Sequence, residues 1–141
     1  MNPNALFVLL PPDSTGINFI NRITPDEITN ILTYEYLYNG GGVGIGDFNN
    51  DGFQDIFFAG NQVPSKLYVN SGKSPSAHGG LPAGVQLGTQ AGFHFRDVTE
   101  TSGISIPKDW AFGVSVVDIN QDGLQDIYIN DRHPECPVLR D

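Results

Sequence analysis

Residues 42–58 read GVGIGDFNNDGFQDIFF, and residues 113–129 read GVSVVDINQDGLQDIYI. Asp47 falls on Asp118 at a shift of 71 residues, and at that shift Gly42, Val43, Asp47, Asn49, Asp51, Gly52, Gln54, Asp55 and Ile56 all meet their own kind. The remaining pairs are mostly apolar exchanges, such as Ile45 with Val116 and Phe53 with Leu124. Self-similarity at a fixed period is the mark of a repeat architecture. Each copy has an apolar, β-branched run (Val43 to Phe48, Val114 to Ile119), a polar turn ending in Asp-Gly, and a second run (Ile56 to Ala59, Ile127 to Ile129). Strand, turn, strand predicts a hairpin, since Asp-Gly is among the strongest short turn signals.

Two more strands are predicted after the first hairpin. Lys66 to Asn70 sets Leu67 and Val69 against Tyr68, and Phe93 to Val98 sets Phe93 and Phe95 against His94 and Arg96. Between them, residues 71–92 are half Gly, Ser and Pro and show no periodicity, which predicts a long surface loop. Upstream, Ile17 to Ile23 reads as a possible strand. Pro25 to Leu32 reads as a short helix, with Thr24 as N-cap and Asp26 and Glu27 in the first turn. Tyr34, Tyr36 and Tyr38 alternate with Glu35 and Leu37, the pattern of a strand; their stripe reads as a packed strand face or, less simply, a sugar-stacking platform. The organisation that follows is a lead-in at 1–33, a first unit at 34–104, the start of a second at 105–130 and an irregular tail at 131–141.

Composition agrees with an all-β chain: 17 Gly and 10 Pro in 141 residues, with only 7 Lys and Arg. The net charge of −9 repels nucleic acid phosphate and anionic membrane, so neither is an expected partner. Six of the 16 acidic residues sit in the two loops, and acid serving solubility alone would be scattered. No apolar run approaches a membrane-spanning length, and Ala5 to Leu10 lacks the basic flank and length of a signal peptide. The one cysteine, Cys136, can form no internal disulfide, and neither it nor His78, His94 or His133 has a partner pattern around it.

The loops have metal-ligand spacing. Counted from Asp47, oxygen ligands fall at positions one (Asp47), three (Asn49), five (Asp51), seven (the Phe53 carbonyl) and nine (Asp55), with Gly52 at six. The second loop repeats this with Asp118, Asn120, Asp122, the Leu124 carbonyl and Asp126, with Gly123 at six. Short side chains at alternate positions of a curled backbone can aim several oxygens at one point, and glycine permits the left-handed bend. Ca²⁺ accepts such an all-oxygen set, Mg²⁺ suits it less, and Zn²⁺ wants His or Cys. Position twelve, where an EF-hand carries Glu, is Phe58 or Ile129, and the flanks are strands, so an EF-hand is excluded. Two Ca²⁺ ions would bring the net charge from −9 to −5. The competing reading is a pair of polar hairpin turns without a metal.

At these residues the chain resembles the FG-GAP/VCBS repeat family, the calcium-loop blades of integrin-α-like β-propellers. The shared pattern is the D-x-[DN]-x-D-G-x-x-D loop between strands, then Leu67-Tyr68-Val69-Asn70, then Phe95-Arg96-Asp97-Val98-Thr99, with Phe112-Gly113 as the FG element. The stretch YEYLYNGGGVGIGDFNNDGFQDIFFAGN at 34–61 is similar to the start of large bacterial VCBS proteins that carry an ASPIC/UnbV-type domain further on. The resemblance implies a partial β-propeller of about two blades, two Ca²⁺ sites, further blades of the same polypeptide, an extracellular, cell-surface or periplasmic location, and a protein or glycan ligand. With two loops, a long insertion at 71–92 and no third strand after Asp131, the sequence reads as a piece of a longer array. It implies no catalysis of its own. The alternatives are a part of a larger glycan-active enzyme, to whose site Glu100 or Asp109 could belong, and a purely structural calcium-stapled scaffold. Trp110 and Phe112, just ahead of the second hairpin, are expected to pack between blades.

Overall fold

The computed structural model describes residues 9–72, 93–104 and 110–132. Apart from one helical turn, α1 (Pro12–Thr15), the regular structure is antiparallel β: β1 (Val43–Gly46), β2 (Asp55–Phe58), β3 (Lys66–Asn70), β4 (Phe95–Asp97), β5 (Trp110–Val117) and β6 (Asp126–Arg132). The first four form one sheet in chain order, and β5 and β6 form a two-stranded hairpin. Both predicted hairpins are present in equivalent register: Val43 faces Phe58 and Gly46 faces Asp55, as Val114 faces Ile129 and Val117 faces Asp126. The architecture is a partial β-propeller, one four-stranded blade followed by the first hairpin of another. The predicted loop at 71–92 lies almost wholly outside the described residues, as do the tail from residue 133 on and Asp109.

The two units meet face to face. One face of the first sheet carries Phe57, Leu67 and Val69, which join Ala59, Ala111, Val114, Ile127 and Ile129 in the core between the sheets. Phe57 is fully buried and Leu67 nearly so, each side chain contributing roughly 1.5–3 kcal/mol by leaving water. The same face of β1 is made of glycine. A Cβ at Gly44 would stand 2.7 Å from the Val114 Cγ1 and 3.0 Å from the Val116 Cγ2, and one at Gly42 would stand 2.5 Å from the Val114 nitrogen. Glycine at alternate positions therefore lets β5 lie directly on the β1 backbone. The residues between, Val43 and Ile45, point the other way and are exposed.

The opposite face of the first sheet is covered in part by the lead-in. The Phe19 ring stacks on Phe58 with centroids 5.1 Å apart, and the Tyr68 hydroxyl donates to the Asn18 Oδ1 at 2.8 Å. Gly16, at φ +77° after α1, brings the chain so close to the Phe95 carbonyl that no Cβ would fit. Asn61, 2 % exposed, ties the pieces together: its amide nitrogen donates to the Ala111 carbonyl at 3.0 Å, while its backbone N–H donates to Asn21.

Three expectations for the residues ahead of β1 are corrected. Residues 17–23 form no strand; they run irregularly over the sheet they cover. Residues 25–32 form turns, not a helix, because side chains take over the backbone. The Asp26 Oδ1 accepts from Ile28 and Thr29, the Asn30 Oδ1 accepts from Leu32, and the Thr24 N–H goes to Gln62. The tyrosine stripe at 34–38 is also a turn, and the residue it buries is Leu37, at 0 % exposure, while Tyr36 and Tyr38 are exposed. Tyr34 is the packed member: it meets Trp110 edge-on at 5.4 Å and Phe112 at 6.4 Å. Trp110 and Phe112 lie within β5 rather than ahead of it, and bridge from the second unit to the turn that leads into β1.

Candidate functional site

Each acidic loop connects the two strands of one hairpin, β1 to β2 and β5 to β6. The two loops share a backbone conformation. Gly52 and Gly123 both have φ +89°, the left-handed bend expected of position six. Position four is also left-handed in each, at Asn50 (φ +57°) and Gln121 (φ +60°), a feature the sequence reading missed. Asn in the first copy was its one local signal, since Asn tolerates that region better than most residues.

The hydrogen bonds repeat residue for residue. The two Asp47 carboxylate oxygens accept from the N–H of Asp51 (3.0 Å) and of Gly52 (2.8 Å). Those of Asp118 accept from Asp122 (3.1 Å) and Gly123 (2.9 Å). The Asn49 Oδ1 faces the Asp51 N–H and its Nδ2 donates to the Asp51 Oδ2, as Asn120 does toward Asp122. The other Asp51 oxygen accepts from Phe53, as that of Asp122 does from Leu124. Positions one, three and five are thus gathered on the inside of one curl by the loop's own N–H groups.

Position nine differs between the copies. Asp55 is fully buried, with one oxygen accepting from Phe48 at 3.1 Å and the other from Asn70 at 2.8 Å. It bridges the loop to β3. Burial pushes its carboxyl above the usual carboxylate range, a rise that the two N–H donors oppose and the charges of Asp51 and Asp47 reinforce. Asp126 is half-buried and accepts from Ile119 at 3.0 Å.

Each loop offers an all-oxygen donor set of the kind a hard cation takes, in the expected order. In this conformation the carboxylates serve backbone N–H groups instead. Among the described residues no three Asp, Glu, His or Cys side chains stand together as a group able to hold a metal ion. The donor set therefore fits in chemistry, without being drawn into one coordination group.

Gln125 is a further residue that sequence reasoning passed over. From the second loop its Oε1 accepts from the Asp47 N–H at 2.7 Å, joining the loops across the interface. Below it a cleft of about 340 Å³ opens between Phe57 and Leu67 on one side and Ile127 and Ile129 on the other. Among the described residues that line it, Asp126 is the one titratable group. Elsewhere, His94 is exposed with its Nδ1 3.5 Å from the Ser71 Oγ, and Glu100 is exposed in a turn. His78, His133 and Cys136 lie outside the described residues.

No helix among the described residues is long and apolar enough to cross a membrane. Searches of the curated proteins and of the solved structures found no match. The profile of the FG-GAP-like repeat matches residues 47–129, more than half of the chain, from the first residue of the first loop to Ile129 within β6. Repeats of this kind are typically non-catalytic interaction modules of extracellular or surface proteins. Two acidic hairpins in one register, a four-stranded blade and this match agree: the chain belongs to the FG-GAP-like repeat family.

Proposed function

We propose that the chain is a calcium-binding β-propeller repeat module of an exported or cell-surface protein, engaging a protein or glycan ligand. The observation that carries this reading is the duplicated loop: two separate segments adopt one backbone and one hydrogen-bond pattern around Asp, Asn and Asp at positions one, three and five, with a further Asp at position nine of each. Asp47, Asn49, Asp51, the Phe53 carbonyl and Asp55 would hold one ion. Asp118, Asn120, Asp122, the Leu124 carbonyl and Asp126 would hold the other. Such an ion supplies positive charge that relieves carboxylate repulsion and ties the hairpin ends, so its role is that of a scaffold. Kinship with the opening of bacterial VCBS proteins carrying an ASPIC/UnbV-type domain, supported by residues 34–61 alone, belongs to the same reading.

Calcium titration by calorimetry on the whole chain tests it, with Asp51→Ala and Asp122→Ala as controls. The expected result is two bound ions in the parent and one in each variant. At a hundredfold excess over Kd the ion should stabilise the fold by about 2.7 kcal/mol per site. Absence of both binding heat and thermal stabilisation would refute it.

A further inference from the structure

Among the described residues, one hydrogen bond runs from loop to loop: the Asp47 N–H donates to the Gln125 Oε1 at 2.7 Å. Asp47 is position one of the first loop, where the chain leaves β1 and begins to curl. Its carboxylate accepts from Asp51 and Gly52, so the point at which its backbone is held sets where the curl starts. The next N–H, that of Phe48, is held by Asp55. The entry of the first loop is therefore fixed by two side chains, one from its own hairpin and one from the other unit. Gln125 is position eight of the second loop, between Leu124 at position seven and Asp126 at position nine. The packing makes room for its reach. A Cβ at Gly46 would stand 2.5 Å from the Gln125 Oε1 and 2.9 Å from the Val116 Cγ1, and the equivalent of Gly46 in the second unit is Val117.

We infer that Gln125 couples the two loops, so that an ion in the second raises the affinity of the first. This inference deepens the proposed function and rests on its reading of the loops as calcium sites. An ion in the second loop would engage the Leu124 carbonyl and the Asp126 carboxylate, the groups on either side of Gln125, and so fix the backbone from which that side chain reaches. The side chain in turn holds the Asp47 N–H, and with it the start of the first curl. An ion that meets a loop already ordered pays less conformational entropy, which gives positive cooperativity without a change of fold. Linkage makes the effect mutual, so filling the first loop raises the affinity of the second by the same factor. Direct repulsion between two dications acts in the opposite sense, so the sign of the coupling separates the latch from plain electrostatics. Gln125 is a positioning residue, holding a backbone N–H and not the ion. The net contribution of one hydrogen bond corresponds to a factor of about 2 to 12 in affinity.

Calcium titration of the whole chain followed by amide NMR provides the test, with the Gly52 and Gly123 signals reading each loop separately. Gln125→Met, which keeps the length of the side chain and removes the acceptor, should weaken calcium at the first loop by about 2- to 12-fold. It should also lower the hydrogen-exchange protection of the Asp47 amide in the presence of a chelator. Asp122→Ala, which empties the second loop, should weaken the first loop by about twofold or more, and by no more than Gln125→Met does. In the Gln125→Met background, Asp122→Ala should have no further effect on the first loop, since both act through one contact. Gln54→Met, at position eight of the first loop, should leave the second loop's affinity unchanged. Should Gln125→Met fail to fold, Gln125→Asn, one methylene too short to reach, carries the same reading. Calcium that fills both loops while Asp122→Ala leaves the first loop's affinity unchanged, or raises it, would overturn the coupling and leave the calcium reading standing. Calcium bound by neither loop would overturn both.

Discussion

Asp55 and Asp126 occupy the same position of the two loops, yet removing them should have unequal effects. The Asp55 carboxylate is fully buried and satisfies two backbone N–H groups, those of Phe48 and Asn70. Asp55→Ala leaves both donors without their acceptor, at about 1–3 kcal/mol each. Removing a buried charge whose carboxyl is already pushed upward by burial returns part of that loss. The net expectation is a destabilisation of about 2–4 kcal/mol, a large share of the roughly 5–15 kcal/mol of a domain. Asp126 is half-buried and accepts from Ile119, so Asp126→Ala should cost about 1 kcal/mol. Urea unfolding, followed by circular dichroism and the fluorescence of the single Trp110, measures both in the presence of a chelator. With m of about 2 kcal/mol/M, the midpoint should fall by about 1–2 M for Asp55→Ala and by about 0.5 M for Asp126→Ala. Asp55→Asn, which keeps one acceptor and turns an amide N–H₂ toward the other donor, should lie between. Equal losses for the two alanine variants would refute the reasoning, because they would show that the bond to β3 contributes nothing beyond the loop itself.

Other outcomes can be stated more briefly. Gly44→Val should disrupt the contact between the units by about 1–3 kcal/mol, because its Cβ already meets Val114 and Val116, whereas Gly113→Ala should be close to neutral, its nearest neighbour being the Asn130 Cβ at 4.0 Å; paired thermal melts compare them. Gln121→Asn should stabilise the second loop by a few tenths to about 1 kcal/mol by easing the left-handed backbone there, read as a rise in Tm. The Lys66–Asp97 ion pair at 2.8 Å raises the Lys66 amine through its bond to Asp97, while burial of Asp97 is outweighed by the bonds from Lys66 and Thr99, which hold its carboxyl low. Its contribution, about 0–1 kcal/mol for so exposed a pair, should be full between pH about 4 and about 10 and fade as pH falls through the lowered Asp97 value or rises through the raised Lys66 value. The difference between parent and Lys66→Gln melts across pH should vanish at both ends.

The hairpins were legible because strand period and turn chemistry coincide there, and both act over a few residues. The strands β1, β2, β5 and β6 follow from β-branched runs on either side of Asp-Gly, and β3 falls on the predicted residues 66–70. The lead-in was misread where local side-chain bonds defeat periodicity. Asp26 and Asn30 carry the turn chemistry that overrode a helical pattern, and Leu37 is buried where alternation pointed to the tyrosines around it. The helical turn α1 could have been found from Pro12 at its first position and Gly16 just past its end. Within the loops, the left-handed bend at position six was legible, but the use of Asp55 was not. Its second partner, Asn70, lies 15 residues away and is brought in only by the pairing of β2 with β3.

The two copies also differ in a way that sequence and surroundings explain together. Where β5 lies against β1, the first copy has Gly42, Gly44 and Gly46, and the bulk comes from the partner strand as Val114 and Val116. Where no described strand lies against β5, the second copy has Gly113, Ser115 and Val117, and Tyr128 replaces Phe57. A phenylalanine suits a sealed position because it has no polar atom to satisfy, and tyrosine suits one that keeps an edge in water. The loops, by contrast, are nearly unchanged between copies although their neighbours differ. Selection for packing would let them diverge with the faces. Their constancy fits a cause inside the loop itself: the turn's own hydrogen bonds to Asp47 and Asp118 are one such cause, and the proposed ion would be another.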